Sequence, residues 1–346
     1  MISGRVEAVR SHIIGPDDRL HCNRKNHNDK RMDDTVTVTS TETKLQSIVN
    51  WAAIAGRWTF EHSNAVYSGP ITRSAQPFGL AISDARLRNG VVRVGATLGR
   101  EGDTTAGVAL GFAPEQGYAI AQLGAYNAAY AISEWVPSFG WRALASAGSI
   151  TNLDRSREYS IEVYLRGQRI TLVVDNVQVL EHLLQAPLTG DQIGLYAWGK
   201  SDVTFTETSF EHRRPKAFVA MPFSEPYDTV YREVIRPVAE EEDFEVLRID
   251  EVTGPGIIFE DIKQHIEDST IAVAEITAPN QNVFYELGYA HALNKPTILL
   301  AQRGQELPFD NRSYRVIFYD DSIGGKPVVE RELRKHLQAV LRSIVG

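Results

Sequence analysis

Hydrophobic and polar positions follow two different periods along this chain, and the change comes near residue 213. Over 44–212, short apolar runs alternate with polar or turn residues at a period of two. The runs lie at 79–83, 91–96, 106–112, 118–123, 159–164, 169–174, 177–180, 192–197 and 203–208. That period turns one face of each run toward a core, which is the mark of half-buried strands. Asp175 and Asn176 separate two such runs. They read as a two-residue hairpin turn in which both positions take positive φ. About ten short strands without a long helix predict a jelly-roll β-sandwich. A helix over 44–55 is expected to precede the first strand.

Beyond Lys216 the apolar spacing lengthens and strands alternate with helices. Strands are expected at 217–221, 244–249, 271–276, 296–301 and 314–319. Helices are expected at 227–242, at 257–267 with Ile258, Ile262 and Ile266 on one stripe, within 279–293, and at 328–344. Pro237 falls inside the first helix and should kink or restart it. Strict alternation with near-continuous apolar strands predicts a flavodoxin-like α/β domain whose parallel sheet has about five strands, covered on both faces. The boundary is His212-Arg213-Arg214-Pro215-Lys216, a charged cluster ending in a Pro, which makes 213–216 a solvated linker and 217–346 the second domain. Residues 1–43 show no apolar periodicity and are expected to be disordered. The patterned sequence starts after Met32, which makes that residue a second candidate start.

Composition narrows the setting. A formal net charge of −8 supplies no broad basic face, so a nucleic-acid partner is not expected. Cys22 is the single cysteine, so no internal disulfide forms, and a reducing cytoplasm is the expected compartment. No apolar run is long enough to span a bilayer, and no membrane partner is expected.

The second half of the sandwich carries Tyr159-Ser-Ile-Glu-Val-Tyr-Leu-Arg-Gly-Gln-Arg-Ile-Thr-Leu-Val-Val-Asp-Asn-Val-Gln-Val-Leu180, then Thr189-Gly-Asp-Gln-Ile-Gly-Leu-Tyr-Ala197 and Val203-Thr-Phe205. This pattern of strand, hairpin around an Asp and Gly-rich return strand resembles the concanavalin-like or laminin-G-like sandwiches. The resemblance implies a sugar, protein or signal ligand at a face or rim. Trp135, Trp141 and Trp198 form either a sugar-stacking platform or core and rim packing. No pair of carboxylates has the spacing of a glycoside hydrolase strand, so hydrolysis is not expected there.

The chemistry concentrates in Pro279-Asn280-Gln281-Asn282-Val283-Phe284-Tyr285-Glu286-Leu287-Gly288-Tyr289-Ala290-His291-Ala292-Leu293, where a strand end feeds a helix start. Open α/β sheets bind ligands at such places. Glu286 is read in the first helical turn, surrounded by the small residues Gly288, Ala290 and Ala292. A carboxylate there serves capping or the helix dipole as readily as chemistry. Three further motifs lie in order: Phe218-Val-Ala-Met-Pro-Phe-Ser224, Leu247-Arg-Ile-Asp250 with Gly254-Pro-Gly256 behind it, and Leu307-Pro-Phe-Asp310.

Together these motifs resemble the TIR-like nucleotide-binding effector domains related to nucleoside 2-deoxyribosyltransferases. One departure is Glu275, where such domains place Asp. The resemblance implies cleavage of the N-glycosidic bond of NAD or a related nucleotide, with NAD as substrate, no separate cofactor and no metal. Glu286 is then the catalytic carboxylate, ionised by its early place in the helix. Asp250 and Glu275 bind ribose hydroxyls. Phe223 or Tyr285 stacks on a base, and Met221, Pro222 and Arg248 line the site. Asn282 caps the helix and lies at the substrate. His291 is read as packing or surface. Homo-oligomerisation through the sandwich and a role in bacterial antiviral defence follow from the same resemblance. Base exchange between nucleosides, or a non-catalytic module for a nucleotide signal or protein, remain alternatives.

Overall fold

The computed structural model describes residues 45–343, apart from 49, 63, 73–74, 101–103, 114, 252–257 and 305–315. The expectations of disorder in 1–43 and a start at Met32 therefore lie outside the described residues, as do Gly254, Gly256 and the 307–310 motif.

The strand-period half folds as two antiparallel sheets. The first runs in the order Val177–Leu183, Arg169–Val174, Glu158–Arg166, Gly90–Thr97, Val203–His212, Asn64–Tyr67 and Trp58–Glu61. The second runs Gly140–Ser149, Ala128–Val136, Tyr118–Ala125, Thr105–Phe112, Gln192–Trp198, Phe78–Arg86 and Trp51–Ala55. Alternate residues meet between them: Val92, Val94, Ile161 and Val163 from one sheet, Val108, Leu110, Ala121 and Leu123 from the other. Asp175 and Asn176 form the hairpin turn, at φ 49° and 64°.

The helix expected over 44–55 is absent from its described part. Gln46–Ser47 pairs with Val203–His212, and Trp51–Ala55 forms the edge of the second sheet, with Trp51 opposite Ser83 and Ala52 opposite Ile82. The Ala-rich run favours a helix locally. The unpaired edge of Phe78–Arg86 overrides that preference by offering a full ladder of hydrogen-bond partners. Gly56, at φ 80°, then turns the chain away from the edge strand.

The second half is a parallel sheet. Its strands in chain order are Lys216–Ala220, Glu245–Arg248, Ile271–Glu275, Thr297–Gln302 and Val316–Tyr319, and their spatial order is 2-1-3-4-5. This is the flavodoxin-like arrangement. Ala217, Val219, Ile271 and Val273 point to one face, packed by Tyr231, Val234, Val238, Leu333 and Leu337. Phe218, Ala220, Ala272 and Ala274 point to the other, packed by Ile266, Val283, Leu287 and Ala290. The first helical segment runs Tyr227–Val230, widens to a π-helical turn at Tyr231–Ile235 and restarts as Arg236–Glu241. Pro237, which cannot donate a backbone hydrogen bond, sits at that restart.

The sandwich and the parallel-sheet domain belong to one compact unit spanning Thr43–Gly346. Residues 213–215 are exposed or half-exposed but anchored: Asn89 Nδ2 donates to the Arg214 carbonyl at 2.6 Å, and Arg214 Nη2 donates to the Phe244 carbonyl at 3.0 Å. A second junction is the hairpin at Gly167. Gly167 has φ 56°, and a Cβ there would lie 2.6 Å from the Ser269 carbonyl oxygen and 2.8 Å from that of Glu267. Gly167→Ala is therefore expected to cost about 2 kcal/mol or more, from backbone strain plus overpacking. A urea midpoint that does not fall, measured beside the unobstructed Gly324→Ala, would contradict this close approach.

Candidate functional site

Parallel register aligns the strand ends. Val219 pairs with Arg248, Ala220 with Ala274, Glu275 with Leu300, and Gln302 with Tyr319. Residues 221–223, 248–250, 275–286 and 319–323 thus all leave the sheet at its carboxyl edge.

Glu286 lies on the helix Gln281–Ala292. The helix is capped by Asn280, whose Oδ1 accepts the N–H of Asn282 at 2.9 Å and of Val283 at 3.3 Å. This corrects the expected cap: Asn282 is inside the first turn, with an exposed side chain. The cap also moves Glu286 into the second turn, on the stripe of Val283, Leu287 and Ala290 that packs against the sheet. Dipole stabilisation fades beyond the first turn. Burial wins instead: Glu286 is 5% exposed, and its carboxyl pKa is pushed up to about 7 by desolvation. The expected preference for the ionised form is therefore lost at neutral pH and reversed below it. Among the described residues the carboxyl has no hydrogen-bond partner. Of the small neighbours, Ala290 is core, whereas Gly288 is exposed with free space where a Cβ would stand.

Arg248 organises a second cluster on the opposite face of the sheet. Its Nε and Nη2 donate to the two Asp250 oxygens, each at 2.6 Å, and its Nη1 donates to Asp228 Oδ1 at 2.7 Å. The guanidinium also stands 4.3 Å from the Tyr231 ring centroid and 5.4 Å from that of Phe223. Arg248 is 7% exposed and is a buried anchor on that face. Asp250 and Phe223 remain exposed above it, and Tyr285 is exposed on the Glu286 helix. Met221 and Pro222 are buried, and the Met221 side chain belongs to the core, which corrects its reading as a lining group.

Glu275 is also corrected. It shares a face with Ile271 and Val273, opposite the helix of Glu286, and it is fully buried. Its carboxylate accepts from the Thr277 hydroxyl, from Thr277 N–H at 3.3 Å and from the Tyr319 hydroxyl at 3.1 Å. Burial raises its pKa against those hydrogen bonds. A ribose hydroxyl cannot reach it here, so Glu275 ties strand three to strand five. A cleft of about 350 Å³ beside Tyr319 is lined by Thr229, Val230, Glu233, Asp320 and Lys326. It lies on this face, away from Glu286. Tyr231 and Tyr319 carried no motif signal of their own. His291 is half-buried and its Nε2 stands 3.1 Å from the Thr297 hydroxyl, a packing position.

The sandwich has its own cleft, of about 320 Å³, on the outer face of the second sheet. Thr105, Gln122, Tyr126, Trp141, Tyr196 and Trp198 line it. Trp141 is wedged by Trp135 at 5.4 Å, Tyr118 at 5.9 Å and Tyr196 at 5.3 Å between ring centroids, all at steep angles. It is a packed wall, with Trp135 behind it. Tyr196 is 6% exposed, and its hydroxyl has no hydrogen-bond partner among the described residues.

No family model matches this chain, and no curated protein is similar to it. Solved structures similar to it include the carbohydrate binding module CBM66 from Bacillus subtilis, at 13% identity and TM-score 0.41, covering 47% of this chain and 96% of that one. The β-glucanase of Bacillus licheniformis is 11% identical at TM-score 0.36, covering 51% of this chain and 100% of that one. The Caenorhabditis elegans galectin LEC-6 is 11% identical at TM-score 0.31, covering 43% and 96%. By its own strand order, the chain is a jelly-roll-like β-sandwich followed by a flavodoxin-like α/β domain with a five-stranded parallel sheet.

Proposed function

We propose that the α/β domain cleaves the N-glycosidic bond of NAD or a related nucleotide and that Glu286 is the group acting on the ribosyl centre. The observation that carries this reading is a buried carboxyl with no counter-charge among the described residues, its pKa pushed up to about 7, beside the carboxyl edge of a doubly wound sheet. When the C1′–N bond breaks, its electron pair goes to the cationic nicotinamide nitrogen, which leaves neutral without taking a proton. The ribosyl carbon becomes oxocarbenium-like, and an ionised carboxylate in a dry site stabilises it strongly. Water then adds to C1′ and loses one proton, which in this reading passes to Glu286. The exposed rings of Phe223 and Tyr285 supply stacking surfaces, and Asp250, held by Arg248, offers fixed acceptor oxygens to ribose.

The same lone carboxylate suits a second reading, in which it attacks C1′ and transfers the sugar to another base. One incubation separates the two: protein with NAD, and in parallel with a deoxynucleoside plus a second free base. Nicotinamide and ADP-ribose in the first support hydrolysis, and an exchanged nucleoside in the second supports transfer. The absence of both products, with nucleotide binding retained, would leave a non-catalytic module. In this reading the protein works in the cytoplasm as a homo-oligomer assembled through the sandwich, in antiviral defence.

For the sandwich we infer a sugar-binding role, with Trp198 and Tyr196 as the contacts. The aromatic lining favours it, as does the Tyr196 hydroxyl, which has no hydrogen-bond partner among the described residues. Trp198→Ala is expected to weaken binding of a recognised oligosaccharide at least ~10-fold, consistent with loss of one stacking aromatic. Calorimetry against a panel of oligosaccharides checks this, and equal binding by the variant refutes the assignment.

A further inference from the structure

Glu286 has no side chain among the described residues to hold it, so its position is that of its helix. The attachments of that helix lead out of the α/β domain. Tyr289, one turn after Glu286 and on the same side, donates its hydroxyl to Glu267 at the end of the preceding helix. Glu267 is paired in turn with Arg169 of the sandwich. Arg169 also binds Asp268 through Nε at 2.8 Å and pairs with Glu181 in its own sheet. Beside it, Gln168, fully buried, donates to the Leu293 carbonyl at 2.7 Å, where the Glu286 helix ends. Asn294 answers from the other side, donating to the Gln185 carbonyl at 3.2 Å. Lys295 Nζ closes the junction by donating to the Glu267 and Ser269 carbonyls. The sandwich thus holds the end of the helix that carries Glu286 directly, and its last turn through Glu267.

We propose that Arg169 is a positioning residue for Glu286, acting through Glu267 and Tyr289, so that the sandwich is a working part of the α/β domain's site. The proposal rests on the N-glycosidic reading above for its catalytic readout, but its mechanical content is independent of that reading. Arg169 spreads three nitrogens over three carboxylates, a geometry that a planar guanidinium satisfies and an ammonium satisfies only in part. Without it, Glu267 loses its guanidinium partner and Tyr289 its fixed acceptor, and the last turn of the helix is tied to the sandwich only through Gln168 and Asn294, which leaves it room to shift. A displacement near 1 Å at a reacting group costs on the order of 100-fold in rate.

The test uses the full chain. In Arg169→Ala, nicotinamide release from NAD is expected to fall about 10- to 100-fold in kcat with KM little changed. Arg169→Lys should recover part of that loss, and Tyr289→Phe, which removes one hydroxyl, should reproduce a smaller one. Amide hydrogen exchange provides the second arm: in Arg169→Ala, exchange across residues 281–292 should accelerate while that of the sandwich strands 105–125 does not. Full activity and unchanged exchange in Arg169→Ala and Tyr289→Phe overturn the proposal. So does a loss that appears only in KM or as global unfolding, with no separate effect in Tyr289→Phe. If the wild-type protein releases no nicotinamide but the selective exchange change is present, the N-glycosidic reading falls and the mechanical coupling stands.

Discussion

Glu286→Gln is expected to lower nicotinamide release from NAD by about 10³-fold in kcat, within the range reported for removing an electrostatic or acid–base group. The amide keeps the size of the side chain but cannot carry the negative charge that an oxocarbenium-like centre requires. KM should change far less than kcat, because the lost interaction is made in the transition state. The wild-type rate should rise about tenfold per pH unit below 7 and level off above it, since the active species is the carboxylate and its pKa is about 7. Stability should move the opposite way. The folded pKa lies above the unfolded value of 4.5, so the carboxyl favours folding fully below pH 4.5 and loses that contribution as pH rises through 7. Ionising it in the folded protein costs up to about 3 kcal/mol, at ~1.4 kcal/mol per pKa unit. Glu286→Gln should therefore be less active than wild type yet more stable at pH 8, with the difference vanishing at pH 4. Retained activity removes Glu286 from the chemistry. Equal stability at pH 8 removes the buried-carboxyl argument.

The two periods of the chain made both folds legible. Alternation of two needs two sheets to bury its faces, and alternation of strands with helical stripes needs a parallel sheet between layers. The direction of Glu275 was legible too: with Ile271 and Val273 it faces away from Ala272 and Ala274, and so away from the Glu286 helix. Its partner was not, because Tyr319 lies 44 positions later and arrives through strand order. The cap differed by two residues for a local reason. Asn280 and Asn282 are chemically equal, and only the extended backbone at Asn280, φ −118° and ψ 119°, selects the first. That small shift carried Glu286 out of the first turn and changed its expected charge state. The 44–55 segment failed differently, as an Ala-rich run whose helical preference lost to a sheet edge that no local pattern announces. The sandwich's grip on the Glu286 helix was illegible for the same reason: Gln168 and Leu293 are 125 positions apart.

Arg248→Ala is expected to destabilise the protein by about 3 kcal/mol, because it leaves Asp228 and Asp250 facing each other without the cation that both bind. Burial alone would pull the Arg248 pKa down, but its bonds to Asp250 and Asp228 outweigh that and hold it above its ordinary value. The partners are 23% and 31% exposed, so water relieves part of the repulsion, and the cost stays at the low end for a broken buried pair. A loss of this size is a large share of the ~5–15 kcal/mol that holds a typical domain together. The double variant Arg248→Ala/Asp250→Ala distinguishes brace from ligand. If Asp250 only anchors Arg248, adding Asp250→Ala to Arg248→Ala should restore stability and cost no further activity. If Asp250 also holds ribose, stability should recover while KM for NAD rises about 10-fold over the single variant, the loss of one charge-assisted hydrogen bond. Urea unfolding at pH 7 beside steady-state kinetics on the same samples reads both numbers. An Arg248→Ala protein as stable as wild type would mean that the bidentate pair contributes nothing. Phe223, whose ring stands over that guanidinium, would then need another reason to sit exposed at the sheet edge.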